Sequence, residues 1–396
     1  MMNPNSSADV IIVGGGIIGV ATAYYLAQRK HGRILVLERS FLGMGSTGAS
    51  VASIEPLAMF PTLAALQRRS IEVFQHFDEH IGGDCGFVPL TLAMFVREKE
   101  LPAMRAAAAV GRAAGSAIEE LTPEAYLARV PGTVLDEIAG VYCSPDAGFA
   151  DPVLTLNAYA EAARALGVTI RQHTPVSGVR VEQGRVVGVD TPQGTLTAGQ
   201  VLLAPGLWLD PLLAPLGIAS HVSFLRHYVV TLEMPPDAPQ HSYLDAAFDF
   251  YMRPEKSGGL CLIGTALDNP QDRFEDLFNP AIDPPGVTQE MSFTVWERVV
   301  RRFPVMENAR LRKGYTGVAD MTPDRQPLLG NLPIDGLYLA AGMSGIGFKM
   351  APGIGQTMAA LLAGDAEAAA LLAPLRPARI AEGQLLRPKH QFSLIA

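Results

Sequence analysis

The sequence predicts an α/β fold of two domains: a Rossmann-like domain around a parallel sheet, with a second, mainly antiparallel-sheet domain inserted into it. Three observations predict this. The β-branched run Val10 to Val13 leads directly into glycines spaced G-x-G-x-x-G, then into a helical stretch. Apolar strand segments ending in glycine turns recur far along the chain, at 200–206 and 336–342. Between them lie segments that alternate or run apolar, as the strands of a separate antiparallel sheet do. At 396 residues the chain is long enough for roughly two domains.

The N-terminal stretch Asp9 to Glu38 has each part of a dinucleotide site in register. Val10 to Val13 reads as a buried parallel strand, about Ile17 to Lys30 as a helix stopped at His31-Gly32, and Arg33 to Leu37 as a second strand. Gly14 permits a tight turn, Gly16 lets backbone approach a pyrophosphate, and Gly19 lets helix and strand pack closely. Free N–H groups at the helix start, around Ile17 and Ile18, are where phosphates bind. Glu38 lies about 20 residues past the glycines, where an acid accepts hydrogen bonds from ribose hydroxyls. Beyond it, Arg39 to Ser50 is a loop dense in Gly, Ser and Thr. Gly45, Ser46 and Thr47 offer donors beside the pyrophosphate; the alternative is a flexible surface loop.

Thr62 to His80 reads as a helix, Gly86 to Val96 favours strands, and an Ala-rich helix is expected from Leu101 to Ile118. Thr122-Pro123 suits a helix start, with Thr as N-cap and Pro at the first position. A long helix, Leu154 to Leu166, ends at Gly167. Short strands follow at Thr169 to Gln172, Val176 to Glu182 and Gly184 to Asp190, with turns at 183–184 and 193–194. Gln200 to Gly206 returns toward the first sheet. Arg226 to Leu232, Phe248 to Arg253 and Leu260 to Thr265 read as strands of the second sheet, with a turn at Lys256 to Gly259. Pro270 to Pro285 is expected to be irregular and Thr288 to Phe303 helical. Gly336 to Gly342 reads as a buried strand and Gly353 to Leu362 as a helix opened by Pro352.

Composition narrows the class of function. Hydrophobic residues make up 48% and charged residues 18%, ordinary values for a folded protein. A formal net charge of -8 argues against nucleic acid or an anionic membrane as main partner. Cys85, Cys143 and Cys261 are scattered and lack metal spacing, so buried thiols are expected and no metal site. No secretory signal or membrane span is visible, and a cytoplasmic location is expected.

Residues 314–355 read G-Y-T-G-V-A-D-M-T-P-D-R-Q-P-L-L-G-N-L-P-I-D-G-L-Y-L-A-A-G-M-S-G-I-G-F-K-M-A-P-G-I-G. Their D-M-T-P-D (Asp320 to Asp324), P-x-x-G (Pro327 to Gly330) and G-x-S-G-x-G-F-K (Gly342 to Lys349) resemble the C-terminal signature of the D-amino-acid-oxidase-like flavoenzymes. The resemblance is nearest the branch of the sarcosine oxidase beta subunit, dimethylglycine and proline dehydrogenases and glycine oxidase. Together with the N-terminal fingerprint and the G-S-T of residues 45–47 it spans both ends of the chain.

The resemblance implies FAD rather than NAD, and oxidation of a C–N bond in an amino acid, N-alkyl amino acid or imino acid. Hydride would pass to flavin N5, and the imine would be hydrolysed by water. It implies an FAD-binding domain of residues 1–85, 150–218 and 313–396, with a substrate domain of 86–149 and 219–312. The cofactor-binding set then adds Val176, Ala204 and Gly206 to the N-terminal residues. From the C-terminal loop it adds Gly342, Ser344, Gly345, Ile346, Gly347 and Phe348, whose backbone N–H groups suit the charge of a reduced flavin.

Lys349 belongs to this set as well. A lysine at a helix N-terminus opposes the macrodipole unless it meets an anion. In the resembling enzymes the G-F-K lysine helps hold the substrate carboxylate; the alternative is a solvated surface lysine. Tyr251, Arg253 and His227 are further candidates for the catalytic pocket, each alternatively a satisfied polar residue at a sheet edge.

Departures from the family also carry information. Relatives that bind FAD covalently use a histidine after the G-S-T loop, where Gly48 and Ala49 stand here, or a cysteine where this chain has Lys313 and Gly314. Non-covalent FAD is therefore expected. Ala319 replaces the carboxylate-binding arginine of glycine-oxidase-type relatives, which disfavours glycine itself. The electron acceptor, O2 or another, stays open, as do partner subunits or a homo-oligomer. The rival functions are a nicotinamide-dependent dehydrogenase and an electron-passing subunit of a larger complex.

Overall fold

Val10–Val13 lies inside a six-stranded sheet in the computed structural model of the protein, which describes residues 7–265, 273–274 and 286–389. Parallel neighbours on either side are Ile34–Leu37 and Gln200–Leu203, in register from Val10 opposite Ile34 and Gln200. Thr169–Arg171 extends the sheet on one side and Leu337–Ala341 on the other, both parallel. Leu328–Asn331 closes that edge antiparallel. The four residues of Val10–Val13 are all buried, as strands covered on both faces must be.

The helix Ile17–Gln28 packs on one face of this sheet, and its residues from Ile17 to Leu26 are all buried. An all-round apolar helix needs cover on every side. The neighbouring helices Pro61–Gln75, Pro152–Ala165 and Gly347–Leu362 share its apolar core. Asp151 caps the second of these by accepting the N–H groups of Val153 and Leu154 at 2.8 and 2.9 Å.

The second sheet is ten-stranded and mainly antiparallel. Its long central strand, Ser223–Glu233, pairs with Leu260–Gly264 and with Tyr315–Met321. Phe250–Pro254, Ser242–Asp245, Leu92–Val96 and Gly140–Ser144 continue it. The only parallel contact in that series is between Ser242–Asp245 and Leu92–Val96. Residues 313–389 thus contribute strands to both sheets. Gln289–Arg302 packs on this sheet, and its buried Arg302 meets the buried Asp245 at 2.6 Å.

Several element boundaries differ from the sequence expectation. The Ala-rich helix stops at Ala113, before Gly115 at φ 91°, and Glu119–Leu121 is a strand. The expected 62–80 helix breaks at His76. Ser242–Asp245 and Gly194–Thr197 are strands with too little apolar character to stand out. Most of the expected irregular stretch 270–285 lies outside the described residues. The last long helix begins at Gly347, six residues before the expected start, and contains Pro352. A proline there forfeits one backbone hydrogen bond. Packing against the 61–75 and 17–28 helices holds it: a Cβ on Gly353 would lie 2.2 Å from the Leu66 carbonyl oxygen, and one on Gly355 2.9 Å from Ala21.

Candidate active site

The parallel strands end in a crevice, the place where open α/β sheets bind ligands. Val13, Leu37, Ala204 and Ala341, at or just past four strand ends, line a cavity of about 570 Å³. That volume lies within the range of small-molecule and cofactor sites, roughly 300–1,000 Å³. The large sheet supplies the opposite wall through His227, Val229, Leu244, Tyr251 and Gly317–Met321.

At the N-terminal end, Gly14 has φ 116°, and a Cβ there would fall 2.1 Å from the Ala204 carbonyl oxygen. Gly19 does not line the cavity; its Cβ would fall 2.2 Å from the oxygen of Gly14, so it serves helix–strand packing. Gly16, Ile17 and Ile18 are on the wall, at the start of a helix whose first-turn N–H groups have no intrahelical acceptor. Glu38 is buried beside them. Its Oε2 accepts the Gly15 N–H and its Oε1 the Ser40 N–H, each at 2.8 Å. Each oxygen retains a second lone pair for a ligand hydroxyl.

Arg39, Gly45, Ser46 and Thr47 continue the wall. Thr47 Oγ1 accepts the Ile17 N–H at 3.2 Å, and Ser46 Oγ donates to the Val318 carbonyl at 2.6 Å. The loop thereby ties the first helix to the large sheet. Arg39 stacks 4.6 Å over Trp208, a wall residue carrying no sequence signal. Val176, Ala204 and Gly206 complete this half.

The C-terminal loop closes the far end with Ser344, Gly345, Ile346, Gly347, Phe348 and Lys349. Gly342 is set back from the cavity. Its N–H donates to Asp320 Oδ2 at 2.7 Å, while the Ser344 N–H donates to the Asp320 carbonyl at 2.8 Å. Burial pushes the Asp320 carboxyl up to about 6, against the pull of the N–H groups it accepts. Gly345 has φ 86°, and a Cβ on it meets nothing within 4 Å, so bare backbone faces the open space.

Three of the four expected pocket side chains meet at this cavity. Lys349 is largely buried, with its side chain 13% exposed, and ion-paired through Nζ with Glu55 Oε1. Tyr251 lines the wall, and burial holds its hydroxyl well above the usual phenol range, so it stays a neutral donor. His227 lines the wall from the adjacent region of the sheet. Arg253 does not: its guanidinium sits 4.0 Å over Phe149 and donates to Glu55's near namesake Glu255, at Oε1, at 2.8 Å. It shares a strand face with Tyr251, but its charge is absorbed farther along the strand.

Residues missed by sequence reasoning are Glu55, Trp208 and Arg325. Glu55 had a usable signal, being the sole charged residue between Arg39 and Arg68.

These residues fit FAD. A buried acid and a helix start face one end, a glycine loop and second helix start face the other, and at both Gly206 and Gly345 a Cβ would enter empty space. Parallel sheet, glycine turn and closing loop define a dinucleotide-binding enzyme. The family model described as DAO, FAD dependent oxidoreductase, matches residues 9–361. Sarcosine oxidase subunit beta of Arthrobacter sp is 30% identical over 97% of this chain and 93% of its own length. Glycine oxidase of Geobacillus kaustophilus is 29% identical over 89% of this chain and 92% of its own. The crystal structure of L-proline dehydrogenase from P. horikoshii covers 96% of this chain and 100% of its own, with TM-score 0.85 at 24% identity, a likeness of fold. The chain belongs to the DAO family of FAD-dependent oxidoreductases. No helix among the described residues is long and apolar enough to cross a membrane.

Proposed function

We propose that the protein oxidises the C–N bond of an amino acid, N-alkyl amino acid or imino acid, and that it holds FAD without a covalent bond. One observation carries the proposal: a single cavity joins the dinucleotide-type strand ends to side chains of the large sheet. FAD supplies a hydride acceptor when bound there. The chain's own residues orient the substrate and exclude water. Tyr251, kept neutral, donates a hydrogen bond into the cavity, and His227 offers a second polar contact. First-turn N–H groups from Gly347 onward place partial positive charge at that end of the cavity. The substrate nitrogen reacts as a neutral amine, and water hydrolyses the released imine to a carbonyl compound and ammonia or, from an N-alkyl substrate, an amine.

Gly48 and Ala49 stand where covalently flavinylated relatives carry a histidine, and among the described residues no cysteine lines the cavity; both support non-covalent FAD. Lys349 is the candidate for a substrate carboxylate, although Glu55 competes for it. We assign residues 1–85, 150–218 and 313–396 to the cofactor domain and 86–149 and 219–312 to the substrate domain. Strand Tyr315–Met321 is the part of the third piece that enters the large sheet.

The test is to supply the purified protein with amino acids, N-methyl amino acids and imino acids, and to follow peroxide and dye reduction. Turnover with one class supports the proposal. FAD that is reduced only by a nicotinamide nucleotide refutes it. The word "subunit" in the name of the Arthrobacter relative motivates a second reading, that the chain works within a larger complex. Turnover by the isolated chain would exclude that dependence.

A further inference from the structure

We propose that Gly264 is a positioning residue that sets how large an apolar group the substrate can carry beside Tyr251. This rests on reading the cavity as an amine-oxidising flavin site with Lys349 at the substrate carboxylate, and it names the part of that site which selects by size.

Tyr251 and Gly264 stand directly opposite one another on neighbouring antiparallel strands, Phe250–Pro254 and Leu260–Gly264. Directly opposed residues project to the same face of a sheet, so any side chain at 264 would share space with Tyr251. A Cβ on Gly264 would fall 2.4 Å from the Tyr251 hydroxyl oxygen, 2.5 Å from its Cζ and 2.6 Å from its Cε1. The phenol ring therefore lies across the glycine, in the space that a side chain would fill. Tyr251 lines the cavity, and Gly264 beneath the ring does not.

A ring displaced from this position has little freedom. Leu244 is opposite Tyr251 on its other side and projects to the same face, where it too lines the cavity. With Leu244 on one flank and a new Cβ on the other, the ring has to lift off the sheet, into the cavity. The glycine thus keeps the cavity deep at this point. Leu244, the flat of the Tyr251 ring and Val229 make the wall here apolar. An aliphatic group laid against them leaves water, so binding should tighten as that group grows. Gly264 touches no substrate itself; it acts through where it lets Tyr251 lie.

The test uses two carboxylates that differ in apolar bulk, acetate and isocaproate. Each is titrated into the full-length, FAD-loaded protein and read by perturbation of the flavin spectrum and by calorimetry. The wild type should bind isocaproate about tenfold or more tighter than acetate. Gly264→Ala should weaken isocaproate about tenfold and acetate less than about twofold. Adding Tyr251→Ala removes the lifted ring and should restore the preference for isocaproate, a rescue that a glycine needed only for strand pairing would not show. If Gly264→Ala does not accumulate folded, the double variant decides, and its own failure to fold overturns the proposal. Equal weakening of both probes, a double variant that stays unselective, or a wild type without preference for isocaproate overturns it as well. Failure of the functional reading is separate: it shows as absent FAD, or as FAD that no amine or amino acid reduces.

Discussion

Glu38 and Asp320 each use a buried carboxylate to hold a glycine-containing loop at opposite ends of the cavity. Glu38→Ala removes two backbone anchors as well as an acid on the cavity wall. The Gly15 N–H is then a buried donor without its acceptor, which costs about 1–3 kcal/mol, and the part-buried Ser40 N–H adds less. Melting temperature and retained FAD should therefore fall together, measured by thermal denaturation and gel filtration. Asp320 predicts a pH dependence. Its carboxyl is raised to about 6 from an unfolded value of 3.8, so the folded state binds the proton more tightly. Its contribution is fully present below the unfolded value and is lost as pH rises through about 6. The change is of order 3 kcal/mol between those limits. Asp320→Asn should flatten the denaturant-unfolding free energy against pH in that window. Lys349→Met leaves Glu55 in the cavity wall without its cation, which lowers stability. Adding Glu55→Gln should restore part of that loss, the signature of a coupled pair in urea unfolding.

At the scale of elements, the helix Gly347–Leu362 holds the account together. It brings the C-terminal loop to the cavity because glycines let it lie directly on two other helices. Gly353→Ala would drive a Cβ into the Leu66 backbone, where no side chain can yield. Overpacking of this kind costs about 1–3 kcal/mol, and urea unfolding should show it. The start of this helix was illegible in the sequence, since Pro352 signals a first turn and the stabilising contacts come from residues hundreds of positions away. Thr122 was legible as an N-cap, because capping is local: its hydroxyl accepts the Ala125 N–H at 3.2 Å. The same contrast divides the site. Gly14, Gly16 and Glu38 announce themselves by spacing, whereas Arg253 and Glu55 differ only in which partner the tertiary fold supplies. Phe149 and Glu255 withdraw Arg253 from the cavity, while Lys349 draws Glu55 to its wall.

For the whole molecule, the cavity lies where the two sheets face one another, so cofactor, loop and substrate wall depend on one another. Ligand bound to the folded state alone stabilises it by about 4 kcal/mol at a thousandfold excess over Kd. Stripping FAD should accordingly lower the melting temperature, and adding it back should restore it. Acid precipitation should release all the flavin into the supernatant; flavin remaining on the polypeptide would contradict non-covalent binding. The most direct test of the central claim is anaerobic addition of amines and amino acids to the yellow protein. The account predicts bleaching of the visible flavin band by at least one of them, and its return on admitting air or an artificial electron acceptor. A flavin band that no amine or amino acid bleaches, in a protein that retains its FAD, would contradict it.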